Sequence, residues 1–369
     1  MNEEECIYSI ALTQLPGIGA VWARNLLDIA GSAVSLFKNK GELFHRMPEI
    51  PSRIKDALNN PDALARAEKE YKFILRNHIQ CLTRKEAAYP VRLRECDDAP
   101  IVLFYKGTGD LNVPRVVSIV GTRRATDYGI RICNRFLEDL RLLCPDVLIV
   151  SGLAYGIDIH AHRAALACQL FTVGVLAHGL DRIYPSEHRK TAVDMLEQGG
   201  LLTEFLTETV PDRYNFVHRN RIIAGISDAT IVVESAEKGG ALITAEIAGD
   251  YHRDCFAFPG KITDEYSQGC NCLIRNNKAA LIQSAEDFVQ AMNWDTQSKE
   301  TKPVQRSLFP DLSDDEKHIV SLLDKQGDMQ INQLVVASDI PIQKMNVILF
   351  ELEMKGVLRA LAGGMYRLL

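Results

Sequence analysis

Apolar runs rich in β-branched residues recur through the middle of the chain at 116–120, 147–150, 171–177, 201–205, 229–233 and 255–258. Stretches with a helical apolar period separate several of them, such as Ile130, Cys133, Leu137, Leu140 and Cys144, and the small-residue face of Ala161, Ala164, Ala165 and Cys168. Strands apolar on both faces and joined by helix-length crossovers predict an α/β fold with a doubly wound, mostly parallel, Rossmann-like sheet. Before residue 83 the pattern is helical, with Leu12, Leu15, Leu26, Leu27 and Ile29 supplying apolar faces. A connector ending in the apolar run 101–105 leads into the sheet. Beyond it, 294–311 is polar and proline-bearing, which is linker composition. Three helical patterns (314–323, 331–337, 343–355) and a hairpin (357–361 with 365–369) then predict a winged helix, its first helix capped by Ser313. The expected organisation is a helical unit at 1–82, a Rossmann-like core at 83–293, a linker at 294–311 and a winged-helix unit at 312–369.

Composition narrows the function without naming it. With 369 residues the chain suits two or three domains. Forty-two basic against 48 acidic residues give a net charge of −6, so any polyanion site is local rather than spread over the surface. The acidic start MNEEEC is not followed by a long apolar run, and no uncharged apolar stretch reaches the roughly 18 residues of a membrane span. Nine scattered cysteines without a C-x-x-C pair predict reduced thiols in a cytoplasm, with no metal centre and no cofactor.

The densest chemistry lies in RYNFVHRNR, where Arg213, His218, Arg219 and Arg221 surround Tyr214 and Phe216. Cations for phosphates and a ring for a base are what single-stranded nucleic acid needs. The alternative is a solvated helix start with Phe216 tucked into the core. Glycine-bearing loops follow several strands: Gly121-Thr122-Arg123-Arg124, the loop from Gly152 to Gly156, His178-Gly179 and Lys238-Gly239-Gly240. Glycine at a strand exit lets backbone N–H groups approach a phosphate. The spacing fits neither G-x-G-x-x-G nor G-x-x-x-x-G-K, which disfavours a dinucleotide or Walker-type site. In the helical unit Pro16-Gly17-Ile18-Gly19 resembles a helix-hairpin-helix (SAM-like) turn, a DNA-backbone binder or simply packing. A second copy at 47–54 has Pro48 and Glu49 in place of the glycines.

In order, VSIVGTRRATDYG, IVSGLAYGIDIHAHRAAL, TVGVLAHGLDRIYPSEHR, GGLLTEF, NFVHRNRIIAGIS, ESAEKGGALITAEIA, FAFPG and SQGCNCLIRNNKAALIQSAEDF resemble the DNA-processing protein A family, also called Smf. The lead-in YPVRLRECDDAPIVLFYKG resembles it as well. The resemblance implies a dimeric, non-enzymatic protein that binds single-stranded DNA taken up in natural transformation and loads the RecA recombinase onto it. It implies that Arg123 sits in a basic pocket, that Phe216 stacks on a base, that Arg213 is the basic residue three positions before that aromatic, and that Arg219, Asn220 and Arg221 line the pocket edge. Arg123, Arg213, Arg219 and Arg221 are expected to hold phosphates, with Arg124 able to reach the same rim. Gly152, Gly156, Lys238 and Gly240 match its glycine-bearing loops. A rival is a nucleotide-hydrolysing enzyme of the lysine-decarboxylase-like, phosphoribohydrolase type. Its P-G-G-x-G-T-x-x-E motif is echoed only by Gly239, Gly240 and Glu246, with lysine for the proline, leucine for the third glycine and Thr244 displaced. The third tail helix offers Gln343, Lys344 and Asn346 against Glu351 and Glu353, which favours a protein contact or weak DNA role over sequence-specific reading.

Overall fold

The computed structural model describes residues 2–47, 50–294, 312–361 and 363–368. Two units emerge, 1–287 and 288–369. In the first, the apolar runs become strands of one nine-stranded sheet: β1 Gln80–Thr83, β2 Val102–Gly107, β3 Val116–Val120, β4 Leu148–Ser151, β5 Thr172–Val175, β6 Gly199–Thr203, β7 Ala229–Val232, β8 Asp254–Ala257 and β9 Ala280–Leu281. The order is β1-β2-β6-β5-β4-β3-β7-β8-β9. From β6 to β9 every pairing is parallel, while β2 runs antiparallel to β6 and β1 antiparallel to β2. The chain winds outward from β3 through β4 and β5 to β6, then restarts on the other side of β3 with β7, which makes the carboxyl ends of β3 and β7 the switch point where such sheets bind ligands. The strands β3, β4, β5, β6 and β7 are buried throughout, as helices on both faces require.

The helical segment departs from the expected boundary. Its last helix, Pro61–Arg76, ends before β1, so residues 80–82 belong to the sheet. Nor does the segment keep a core of its own. Ile10, Leu12, Leu26, Leu36, Ile54 and Leu58 form one apolar cluster with Ile101, Val102 and Phe104 around β2 and with Leu206. A buried carboxylate secures the joint: Glu70 accepts from Arg66 Nη1 at 2.9 Å, from Thr207 N at 3.1 Å and from Thr207 Oγ1 at 2.5 Å. The first hairpin is present, with helices Glu3–Thr13 and Ala20–Ala30 flanking a turn in which Gly17 takes φ +75° and Ile18 is buried. Of the second copy, Pro48 and Glu49 lie outside the described residues.

In the second unit, helices Asp314–Gln326, Ile331–Ser338 and Ile342–Met354 combine with β10 Met329–Gln330, β11 Leu358–Leu361 and β12 Met365–Leu368 in sheet order β10-β12-β11. Ser313 and Glu316 form a capping box at the first helix. The expected linker lies outside the described residues except Trp294. Among the described residues no helix is long and apolar enough to cross a membrane.

One buried titratable group sits in the sheet-facing side of helix Ile157–Ala167. His162 shares a 2.7 Å hydrogen bond with Thr172 Oγ1, whose own proton goes to Ile149 O at 3.0 Å, so Nδ1 carries the imidazole proton. Nε2 is buried without a hydrogen-bond partner. Burial, reinforced by the charges of Arg219 and His188, pushes the imidazole down to about 3. The folded state therefore binds this proton more weakly than the unfolded chain, and the stability present above the ordinary histidine range is lost as pH falls from about 6.5 toward 3. Unfolding free energy measured against pH should decline over that window, and His162→Gln should flatten the decline; an unchanged acid limb would contradict the assignment.

Candidate nucleic-acid interface

The RYNFVHRNR stretch opens the helix Arg213–Ile226. Asp212 caps it, accepting from Asn215 N at 2.8 Å. From Arg221 onward every residue is buried, whereas Arg213, Tyr214 and Val217 are exposed. The helix ends two residues before β7, at the amino edge of the sheet, so its first turns overhang the carboxyl edge where β3, β4 and β5 exit.

At that rim the structure brings together residues distant in sequence. The exposed Arg123, in the loop after β3, places its guanidinium carbon 4.7 Å from the centroid of the half-buried Phe216 ring. Arg219 stands 5.8 Å from the same ring, and Tyr184, in the loop after β5, 5.9 Å away at 53°. Tyr214 stacks on His218 with centroids 5.8 Å apart. The loop that carries Arg123 is held from below by Glu234. Its carboxylate accepts from Thr126 N at 2.9 Å and Thr126 Oγ1 at 2.5 Å, and its carbonyl accepts from Thr122 N at 2.7 Å.

Two expected phosphate ligands face inward instead. Arg219 is 3% exposed, and its Nη1 donates to Gly152 O at 2.7 Å and to Val175 O, tying the helix to the exits of β4 and β5. Burial pushes its guanidinium down to about 10, opposed by the Asp158 charge, so it stays cationic at neutral pH. Arg221 is 6% exposed; it donates to Asp98 O at 2.5 Å and pairs with Glu204. Both cations are occupied by protein acceptors in this conformation. Gly152 and Gly156 are closely approached from within the protein. A Cβ on Gly152 would stand 2.4 Å from Arg219 Nη1, and one on Gly156, at φ +76°, 2.1 Å from Thr122 O. The N–H of Gly152 goes to Asp158 Oδ2 at 3.1 Å. The Gly152 N–H is thus taken within the protein, and a side chain and a neighbouring loop occupy the space that a Cβ would need at these two glycines.

The remaining expected residues lie at the surface. Arg213 is exposed in the first helical turn and Asn220 is half-buried. Arg124 is exposed after β3, and Lys238 and Gly240 are exposed after β7, so all three flank the switch point. Glu246 is exposed and pairs with Lys278 at 2.9 Å, a surface setting rather than a cleft. The sequence marks His178 only as part of the glycine-bearing loop after β5, and places Tyr184 in a turn without giving it a role. The only available signal was an aromatic residue within a turn after a buried strand.

The contrast between glycines gives a direct check. Gly152→Ala should destabilise the protein by about 2–4 kcal/mol in urea unfolding, because it drives a buried charge off its acceptors. Gly240→Ala, where a Cβ meets nothing within 4 Å, should shift stability by no more than about 0.5 kcal/mol. Equal effects would mean that Arg219 does not need the Gly152 position empty.

Comparison with known proteins agrees with this architecture. The family described as DNA recombination-mediator protein A matches residues 80–293, and the DprA winged helix domain matches 304–364. Protein Smf of Escherichia coli is 36% identical over 283 residues, 76% of this chain and 75% of that protein. DNA processing protein DprA of Bacillus subtilis is 41% identical over 206 residues, 55% of this chain and 68% of that protein. The structure of DprA from Streptococcus pneumoniae superposes with a TM-score of 0.66 at 31% identity, covering 77% of this chain and 97% of the other. DNA processing protein A from Helicobacter pylori, described for its single-stranded DNA binding mode, does so with a TM-score of 0.52 at 28% identity, covering 59% and 97%. On a family match that extends over more than half its length, this chain belongs to the DNA recombination-mediator protein A family.

Proposed function

We propose that this protein binds single-stranded DNA at the rim formed by the β3 exit and the first turns of the Arg213–Ile226 helix. The Arg123 guanidinium resting 4.7 Å from the Phe216 ring carries the proposal. Without DNA the cation covers the ring; with DNA it turns to a phosphate while a base takes its place on Phe216. A cation–π contact near the surface is worth about 0.5–1 kcal/mol, less than the roughly 1–3 kcal/mol of a stacked base, so the exchange runs toward the complex. Arg213, Arg124 and Lys238 extend the positive rim, and Asn220 and Gly240 stand beside it. The Helicobacter pylori relative, whose structure is described for binding single-stranded DNA, supports the same class of ligand.

In the cell the protein covers single strands entering during natural transformation and hands them to the RecA recombinase. It does so as a cytoplasmic homodimer without enzymatic activity or cofactor. The exposed, ion-paired Glu246 does not favour the nucleotide-hydrolase rival. In the winged-helix unit the third helix buries Met345, Ile348, Leu349 and Leu352 and turns Val347 and Phe350 outward, while Lys344 pairs with Asp315 at 2.5 Å. An outer face of that kind suits a protein contact better than base reading.

Binding of an oligothymidine and of a duplex of equal length across a salt series tests the proposal. Wild type should prefer the single strand. Arg123→Ala should weaken binding and lower the salt slope by about 0.7, the value for one phosphate contact on a single strand. Phe216→Ala should weaken binding by about 1–3 kcal/mol and leave the slope unchanged. Preference for the duplex, or indifference to both substitutions, would contradict it.

A further inference from the structure

Tyr184 stands beside Phe216 although 32 positions separate them in the chain, and 44% of it is exposed. Its position is set by the loop rather than by its own side chain. The Tyr184 N–H donates to His178 Nε2 at 3.2 Å, and the other nitrogen of that buried ring donates to Gly179 O at 2.8 Å. Burial lowers the affinity of His178 for a second proton, which keeps Nε2 an acceptor. The backbone beneath the tyrosine is therefore fixed, and the ring is presented at the rim.

The surroundings of Tyr184 are unlike those of Phe216. Arg182 pairs with Asp181 at 3.0 Å, and Glu187 accepts from the Tyr155 hydroxyl at 3.1 Å. The charges of the Tyr184 segment thus include two carboxylates and one cation that is already paired, a poor setting for a phosphate and a neutral one for a base. Phe216 is half-buried and has the Arg123 guanidinium over its ring, so of the two Tyr184 offers the more open surface. Ring centroids 5.9 Å apart and inclined at 53° cannot grip one base between them, but they can each carry one of two successive bases splayed along a single strand.

We infer that Tyr184 is a second base-stacking position of the interface, taking the nucleotide next to the one on Phe216, with the phosphates running on the Arg123 side. This rests on the single-stranded DNA reading of the site given above. Because Tyr184 contributes through a base and the cation of its own segment, Arg182, is paired with Asp181, its part of the affinity is independent of salt and requires that the strand carry bases.

The test compares wild type, Tyr184→Ala, Tyr184→Phe, Phe216→Ala and Arg123→Ala on an oligothymidine and on an abasic deoxyribose-phosphate oligomer of equal length. Thermal unfolding of each variant establishes that it is folded. Tyr184→Ala should lose roughly tenfold in affinity for oligothymidine with an unchanged salt slope, Tyr184→Phe should bind as wild type does, and Tyr184→Ala should match wild type on the abasic strand. If Arg123→Ala and Phe216→Ala weaken binding but Tyr184→Ala does not, the second position is wrong and the single-strand interface stands. Equal losses by Tyr184→Ala on both strands would make the tyrosine a structural residue and overturn the inference. If wild type does not bind oligothymidine at all, both fall together.

Discussion

Burying the Arg219 guanidinium obliges the fold to bring acceptors to it, because an uncompensated charge inside a protein costs several kcal/mol. The carbonyls of Gly152 and Val175 meet that need, and they lie at the ends of two neighbouring strands. Through this contact the helix that leads into β7 is fastened to the carboxyl edge of the sheet. Phe216, one turn earlier, is thereby placed beside Arg123 from the β3 loop. Glu234 completes the arrangement from the opposite side, since its carboxylate and carbonyl hold the loop in which Arg123 stands. The exposed chemistry of the rim depends on buried polar bonds behind it.

A cluster of cations in sequence thus separates into two groups in space. Phe216, Arg219 and Asn220 fall at i, i+3 and i+4 on one side of the helix, but the helix also passes from exposed at Arg213 to wholly buried beyond Arg221. That gradient along the axis, which a helical period does not contain, decides which charges meet solvent. The partners of Arg221, namely Asp98 and Glu204, come from segments more than a hundred residues and seventeen residues away, so no local pattern announces them. Glycine at the strand exits did signal close approach. What approaches Gly152 is a side chain, and what approaches Gly156 is the Thr122–Arg123 backbone. Tyr184 reads in sequence only as a turn residue for a related reason: its significance arises from a ring that the Arg213–Ile226 helix supplies.

The sheet was the most legible part, because strands covered on both faces leave unbroken runs of Val, Ile and Leu. The edges were not. β1 spans four residues with a single buried position and β9 only two exposed ones, too short for any period to register. The helical segment reads as separate from its sequence, yet it shares a core with Ile101, Val102 and Phe104, whose run carries no mark of which neighbour covers it. In the winged-helix unit the Ser313 cap and the hairpin pattern at 357–361 and 365–369 were local signals, and local signals survive into the fold.

The exchange of Arg123 from ring to phosphate, with Arg219 staying fixed inside, is the central claim about how this interface works. Side-chain Nε–Hε NMR of the arginines, recorded as oligothymidine is added, reads it most directly. The Arg123 resonance, assigned by its loss in Arg123→Lys, should move and sharpen as the strand binds, while that of Arg219 stays where it is. Movement of the Arg219 resonance with Arg123 unchanged would contradict the account, because it would mean that the buried guanidinium leaves Gly152 and Val175 to meet the DNA.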